Sequence, residues 1–320
     1  MARAPWRFWA WPSELREVGI LGMNRRNADY VLPCNPRGHY PRVDNKLITK
    51  QICQSQGIPV PETYAVIDRQ GAVRRVFELI DGRQEFVVKP TRGSEGRGIL
   101  VIVERDGDLL VTAGRERVSR SDFQYHLSAI LAGLYSLGGH ADQIMVEQRI
   151  LMHQAFDQLA VGGTPDIRIV VYSGMPVMAM LRLPTRASRG RANLHQGAVG
   201  VGIHLADGET FGGVHNSRAV DLHPDTHAAI AGRSVPHWDT ILRASMKLSD
   251  SLQMGYLGVD FVMDAVCGPV VLEANARPGL SIQLANRTGL APRLRLVDSH
   301  RPDLDHHERR LALLPKLAEC

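Results

Sequence analysis

The chain has 320 residues, 44% of them hydrophobic and 22% charged, with a formal net charge of +5. That balance fits a globular chain with a sizeable core, in one large domain or two, and excludes a disordered or collagen-like polymer. The basic excess is too modest to point to nucleic acid, and no apolar run reaches the length of a membrane span.

The N-terminus is aromatic and basic but lacks a signal-peptide core and cleavage site. Cysteines 34, 53, 267 and 320 are scattered, with neither a paired framework nor metal-ligand spacing. Reduced thiols and a cytoplasmic location are expected. Residues 1–42 are punctuated by Asn and Pro and read as turn-rich, with a short helix over 12–18 and the tryptophans packed on the domain. Residues 44–57 read as a helix with an Asp44 cap, a Gly57 stop and an apolar stripe of Leu47, Ile48, Ile52 and Cys53. Lys46 falls in its first turn, where the helix dipole disfavours a cation, so a surface lysine is the plain alternative. Lysine occurs only at 46, 50, 89, 247 and 316, which makes Lys46 and Lys89 stand out. A strand over 63–67 follows.

Residues 86–103, FVVKPTRGSEGRGILVIV, read as strand, glycine turn, strand. Gly93, Ser94, Gly96 and Gly98 would let backbone N–H groups converge on an anion, and Lys89 would reach the same anion. This is neither a P-loop nor a dinucleotide fingerprint, because no GK[ST] and no helix follow. An ordinary hairpin is the alternative. Residues 121–137 read as a helix with Phe123, Leu127, Ile130, Leu131 and Leu134 inward. A strand is expected over 144–150, and two more over 166–172 and 177–183. Asp166 and Arg168 share a face of the first of these, and Arg182 lies on the second. Residues 189–202, RGRANLHQGAVGVG, read as irregular. His195 within them is expected to be merely exposed. Residues 239–254 form an amphipathic helix pattern with Ile241, Leu242, Met246, Leu248 and Leu252 inward. The stretch 259–279, VDFVMDAVCGPVVLEANARPG, reads as a hairpin. Asp260 lies on its first strand, and Glu273 and Asn275 point the same way at the end of its second. Three oxygen donors on one face suit Mg²⁺. The tail is histidine-rich, then amphipathic over 311–317, a pattern that could dock on a partner subunit.

FVVKP, GSEGRG, MVEQRI, DIRIVV, RANLHQG, GVDFV and LEANARPGL, in this order, resemble the ATP-grasp superfamily, specifically its carboxylate–amine ligases. The chain is similar to ribosomal-protein glutamate ligases and bacterial glutathione synthetase, most of all to the group labelled alpha-L-glutamate ligase-like proteins. The likeness runs from about Lys46 to Ala285. It implies an α+β ATP-grasp fold in which two subdomains clasp ATP. The expected units are an N-terminal segment 1–45, shorter than the usual first domain, a flap subdomain 46–145, a metal subdomain 146–300 and a tail 301–320. It implies that Lys46, Lys89 and the flap residues Gly93, Ser94, Gly96 and Gly98 hold the phosphates. The segment Glu147, Gln148 and Arg149 would be the adenine hinge, with Glu147 alternatively paired to an arginine, and Asp166 would join the nucleotide site. Asp260, Glu273 and Asn275 would hold Mg²⁺, with Mn²⁺ as an alternative. Arg168, Arg182, Arg191 and Asn193 would form a cationic site for phosphate or carboxylate oxygens, or else be surface arginines of an arginine-rich chain.

The expected activity is ADP-forming carboxylate–amine ligation through an acyl phosphate, adding glutamate or another amino acid to a peptide or small-molecule acceptor. A protein acceptor and a homo-oligomer are left open, and no nucleic-acid partner is expected. A kinase and a non-catalytic nucleotide-binding module are the alternatives.

Overall fold

The computed structural model describes residues 10–93, 96–301, 304 and 306–320, with only the backbone of Leu137. Ser94, one of the expected flap residues, lies outside the described residues. Two antiparallel sheets carry the chain. The first has six strands in the order β1 (Thr63–Ile67), β6 (Ile144–Glu147), β2 (Phe86–Pro90), β3 (Leu100–Asp106), β4 (Leu109–Thr112) and β5 (Arg117–Val118). The second has seven, in the order β11 (Arg218–Val220), β10 (Thr210–His215), β9 (Val199–Ile203), β8 (Met175–Leu183), β7 (Asp166–Tyr172), β12 (Tyr256–Asp264) and β13 (Gly268–Asn275). This is an α+β architecture of two layers of sheet and helix.

Each sheet has its own core. Phe86, Val88, Ile102, Phe123, Leu127 and Val146 belong to the first. The second is larger and gathers β7, β8, β9 and β12 with the Trp238–Leu252 helix. Every residue of β12 is buried, including Asp260. A strand covered on both faces reads as a near-continuous apolar run, which is why it lacks alternation. The apolar face expected on the helix Trp238–Leu252 is buried as read: Ile241, Leu242, Met246, Leu248 and Leu252 all point into the core.

Several elements differ from their expected form. Residues 23–34 are helical rather than turn-rich, with a π-helical stretch at Arg26–Val31 between two short α-helical pieces. Arg26 and Tyr30 are buried on it, so tertiary burial overrides the turn propensity of the Asn residues. Trp11 is 58% exposed, so it does not pack on the domain, while Trp6 and Trp9 lie outside the described residues. The helix after Asp44 runs Lys46–Ser55 and is capped by Asn45, whose Oδ1 accepts from the N–H groups of Leu47 and Ile48 at 2.9 and 3.4 Å. Asp44 ends the preceding helix instead. The buried face of the Lys46–Ser55 helix is Thr49, Lys50 and Cys53, not Leu47 and Ile48. The helix after β5 stops at Leu131, leaving Leu134 exposed. Residues 199–203, expected irregular, are strand β9, because pairing with β8 and β10 decides what glycine content alone does not. The C-terminal helix His307–Ala318 packs Leu313, Leu314 and Leu317 onto the chain's own second core rather than leaving them for a partner.

No helix among the described residues is long and apolar enough to cross a membrane. The cysteines are free: Cys267 and Cys320 are exposed, Cys34 is half-buried and Cys53 is sealed in the core. Burial pushes the Cys53 thiol up to about 12. A maleimide added to the native protein at pH 7 is therefore expected to label Cys267 and Cys320 and to spare Cys53 until denaturant is added. Modification of Cys53 at the same rate as Cys267, read by peptide mass, would contradict this packing.

Candidate nucleotide site

The Lys46–Ser55 helix is the point where the two sheets meet. Its Cys53 packs in the second core, yet its lysines reach the first sheet. The Lys46 ammonium donates to the Gly93 carbonyl at 2.5 Å and lies 3.5 Å from the Glu273 carboxylate at the end of β13. One cation thus ties the glycine loop of one sheet to the acidic strand end of the other. The Lys46 N–H also bonds the Thr91 carbonyl at 2.9 Å, so helix start and loop start are fixed to each other.

The loop is held at both ends. A side chain at 93 would put its Cβ 2.3 Å from Pro90 Cγ, and Gly98, at φ +75°, lies against the Tyr135 ring. Only glycine fits both places. Asp142 is buried and accepts four hydrogen bonds at the loop's base: from Thr91 Oγ1 at 2.6 Å, Arg92 N at 3.0 Å, Ser136 Oγ at 2.7 Å and Gln143 N at 2.7 Å. His126 bonds the Gly98 carbonyl at 3.1 Å. Sequence reasoning missed Asp142, since Thr91 and Arg92, the loop residues it holds, lie about fifty residues away and no local pattern marks it.

Lys89, on β2, does not point alone at an open loop. It pairs with Oε1 of Glu147 on β6, while Lys50 takes Oε2 of the same carboxylate at 2.6 Å. The three side chains are all less than a tenth exposed. Burial opposes charge on Glu147, but Lys89 and Lys50 outweigh it and hold the carboxyl below its usual range. Burial pulls the Lys50 ammonium down, against the upward pull of Glu147. The partners of Glu147 are two lysines, where the alternative reading named an arginine. Lys50 is a site-adjacent residue that the sequence reading passed over. Its signal was the i,i+4 spacing from Lys46, which puts both on one side of the helix, in a chain with few lysines. Gln148 and Arg149 lie just past β6. The Gln148 N–H is bonded to the Glu62 carbonyl at 2.8 Å and Arg149 pairs with Glu85.

A third cluster lies on the second sheet. Asp260 faces Arg168 across the β12–β7 ladder and Glu273 across the β12–β13 ladder. Arg168 Nε donates to Asp260 Oδ1 at 2.6 Å, and its other arm holds Oδ2. Arg182, beside Asp166 across β7–β8, grips both oxygens of Asp166 and reaches Asp260 Oδ2 at 2.9 Å. Two carboxylates and two guanidiniums thus form one compact network with no net charge. Burial opposes ionisation of Asp260, but Arg168 and Arg182 win and hold it at about 2. Burial raises Asp166 to about 6, since the Arg182 charge is shared and the Asp260 carboxylate stands nearby. In this arrangement Arg168 and Arg182 spend donors within the sheet, on Asp260 and Asp166. Arg191 and Asn193 lie apart in the loop between β8 and β9. Arg191 bonds Gln196 at 3.3 Å and Asn193 caps the turn through the His195 N–H at 3.0 Å. His195 is exposed.

Among the described residues no group of three or more His, Cys, Asp or Glu stands together as a metal cluster. Glu273 and Asn275 are adjacent, with Asn275 Nδ2 donating to Glu273 Oε1 at 3.1 Å, and the Glu273 side chain is 33% exposed. A carboxylate and an amide carbonyl, both hard oxygen donors near solvent, fit a magnesium ion. Asp260 fits only through the lone pairs that its two arginines leave free.

Two sheets bridged by a lysine-bearing helix, with a glycine loop facing an acidic strand end, define an ATP-grasp protein. The chain belongs to the family described as sugar-transfer associated ATP-grasp, whose model matches residues 25–299. No curated protein matches it in sequence. Among solved structures it is similar to the ATP-grasp ligase PsnB complexed with a minimal precursor, at 15% identity and TM-score 0.43 over 84% of this chain and 63% of that one. It is also similar to the D-cycloserine synthetase DcsG, at 16% identity and TM-score 0.44 over 91% and 80%. A third is the D-alanine–D-alanine ligase of Coxiella burnetii, at 15% and 0.45 over 89% and 60%. The chain thus spans less than two thirds of the length of the first and third. ATP-grasp membership is the level at which the family and the sequence motifs agree. The family's description differs from the glutamate-ligase-like group that the motifs resemble.

Proposed function

We propose that the chain is an ATP-dependent, ADP-forming carboxylate–amine ligase acting through an acyl phosphate, with glutamate or another amino acid among its candidate substrates and a peptide or small molecule as acceptor. The observation that carries the reading is the Lys46 bridge from Gly93 to Glu273, which sets a cation between a glycine loop and an acidic strand end. ATP would lie at this junction, with its triphosphate against Lys46, Lys89 and the loop N–H groups, Ser94 and those at Gly93, Gly96 and Gly98 included. The β6 end at Glu147, Gln148 and Arg149 would border the base. Mg²⁺ held by Glu273, Asn275 and Asp260 would neutralise charge on the phosphate oxygens. Asp166 and Arg182 would keep Asp260 and Arg168 in place beneath them, and Arg191 with Asn193 would approach from the β8–β9 loop. We place the two units either side of the end of β6, since β6 pairs within the first sheet.

The substrate carboxylate oxygen attacks the γ-phosphorus, the bond to the β-phosphate oxygen breaks and ADP leaves. An amine then attacks the acyl carbon, gives up a proton and expels inorganic phosphate. The protein supplies no nucleophile. It supplies position and charge, which account for most phosphoryl-transfer catalysis. ADP release screened across amino acids and peptides, with mass analysis of the product, tests the reading. An amide product supports it, and a phosphorylated hydroxyl with no amide overturns it in favour of a kinase. Lys89→Ala is expected to weaken ATP binding and Lys89→Arg to restore it only in part, because a guanidinium fork does not replace a compact ammonium. Unchanged ATP affinity in Lys89→Ala, measured by calorimetry, would remove this lysine from the site.

A further inference from the structure

The Lys50–Glu147–Lys89 group holds two cations and one anion in a place almost closed to water. A buried carboxylate needs one lysine to neutralise it, and a second buried ammonium costs further desolvation. Neither lysine has another ion-pair partner among the described residues. The set therefore carries one uncompensated positive charge. Lys89 lies on β2, immediately before the loop segment that Lys46 holds by the Gly93 carbonyl. Lys50 comes from the same helix as Lys46, one turn on and on the same side. The excess charge thus stands beside the glycine loop, with no further anion paired to it among the described residues.

We propose that Lys50 is a positioning residue for an anionic ligand: it neutralises Glu147, so that the charge of Lys89 is left to act on the phosphate oxygens of a nucleoside polyphosphate. This rests on the reading of the junction as a nucleotide site. Without Lys50, Glu147 would claim Lys89 entirely, and the set would be neutral. The downward pull that burial exerts on the Lys50 ammonium is consistent with a group that wants one more anion nearby. A purely structural pair would lack this consequence, because it would depend on contact and not on the balance of charge.

Calorimetric titration with ATP and with adenosine separates the two. Lys50→Met is expected to raise the Kd for ATP on the order of tenfold, the effect of one unit charge a few ångströms from the phosphates in a partly screened site, and to leave adenosine binding unchanged. Lys50→Met combined with Glu147→Gln restores the single excess charge, and its ATP affinity is expected to return to within about threefold of wild type. Glu147→Gln alone keeps both lysines; because Glu147 also borders the base, its Kd for ATP is read against its Kd for adenosine, and that ratio is expected to be no higher than in the wild type. ATP affinity unchanged in Lys50→Met, no rescue in the double variant, or equal losses for ATP and adenosine would overturn the role of Lys50. A higher ratio of ATP Kd to adenosine Kd in Glu147→Gln than in the wild type would do the same where Lys50→Met does not fold. A wild-type protein that binds neither ligand would instead overturn the nucleotide site itself, and the role of Lys50 with it.

Discussion

Glu273→Gln is expected to lower ADP formation on the order of a hundred- to a thousandfold, the range seen when one preorganised electrostatic group at a reacting centre is lost. Gln keeps the shape and removes the charge. Two effects are in play, because Glu273 is both the better of the oxygen donors and the carboxylate 3.5 Å from Lys46. They separate on the magnesium dependence. Loss of a metal ligand should shift the Mg²⁺ requirement upward and be partly rescued by more metal. Release of Lys46 alone should leave that requirement in place and alter only the affinity for metal-free ATP. Asn275→Asp keeps a ligand and adds charge, so it should retain metal binding while repelling the triphosphate. If Glu273→Gln matches wild type at limiting Mg²⁺, this strand end does not carry the metal, and the proposed ligase chemistry loses its main support.

Arg182→Met is expected to cost about 3–5 kcal/mol of folding stability at pH 7, since it strips Asp166 of the guanidinium that grips both its oxygens and Asp260 of one of the two it binds. The pH dependence carries the sign. Asp260 sits at about 2 against an ordinary 3.8, so its contribution is present above 3.8 and is lost as pH falls toward 2. Asp166 sits at about 6, so the folded state favours its protonated form; that contribution is full below 3.8 and is lost as pH rises through 6. In the wild type the pair of effects places the network's greatest contribution near pH 4. In Arg182→Met the Asp166 carboxyl keeps only the weaker pull of Arg168, so its titration moves higher still. The variant's deficit should therefore be smaller at pH 5 than at pH 7. Urea unfolding at the two pH values measures it. A deficit below about 1 kcal/mol, the worth of an exposed pair, or one independent of pH, would mean that the network is not closed to water.

The sequence by itself determined the order of the main elements and the ATP-grasp motifs. The β2 and β7 strands, the amphipathic Trp238–Leu252 helix and the acidic hairpin end all show in local periodicity or turn chemistry, which depend on neighbours within a few residues. The glycine loop is legible for the same reason, because Gly93 and Gly98 answer local demands of sterics and φ. What only the tertiary structure decided is which charges meet. Lys50 is an unremarkable helix residue until β6 brings Glu147 against it from ninety-seven positions away. Arg168 and Arg182 look like free cations until the β7, β8 and β12 registers set Asp166 and Asp260 beside them. Strand β9 likewise exists only because β8 and β10 lend it partners. Electrostatic pairing and sheet pairing depend on distances in space, and those are set by the packing of two separate cores and not by the spacing of residues along the chain.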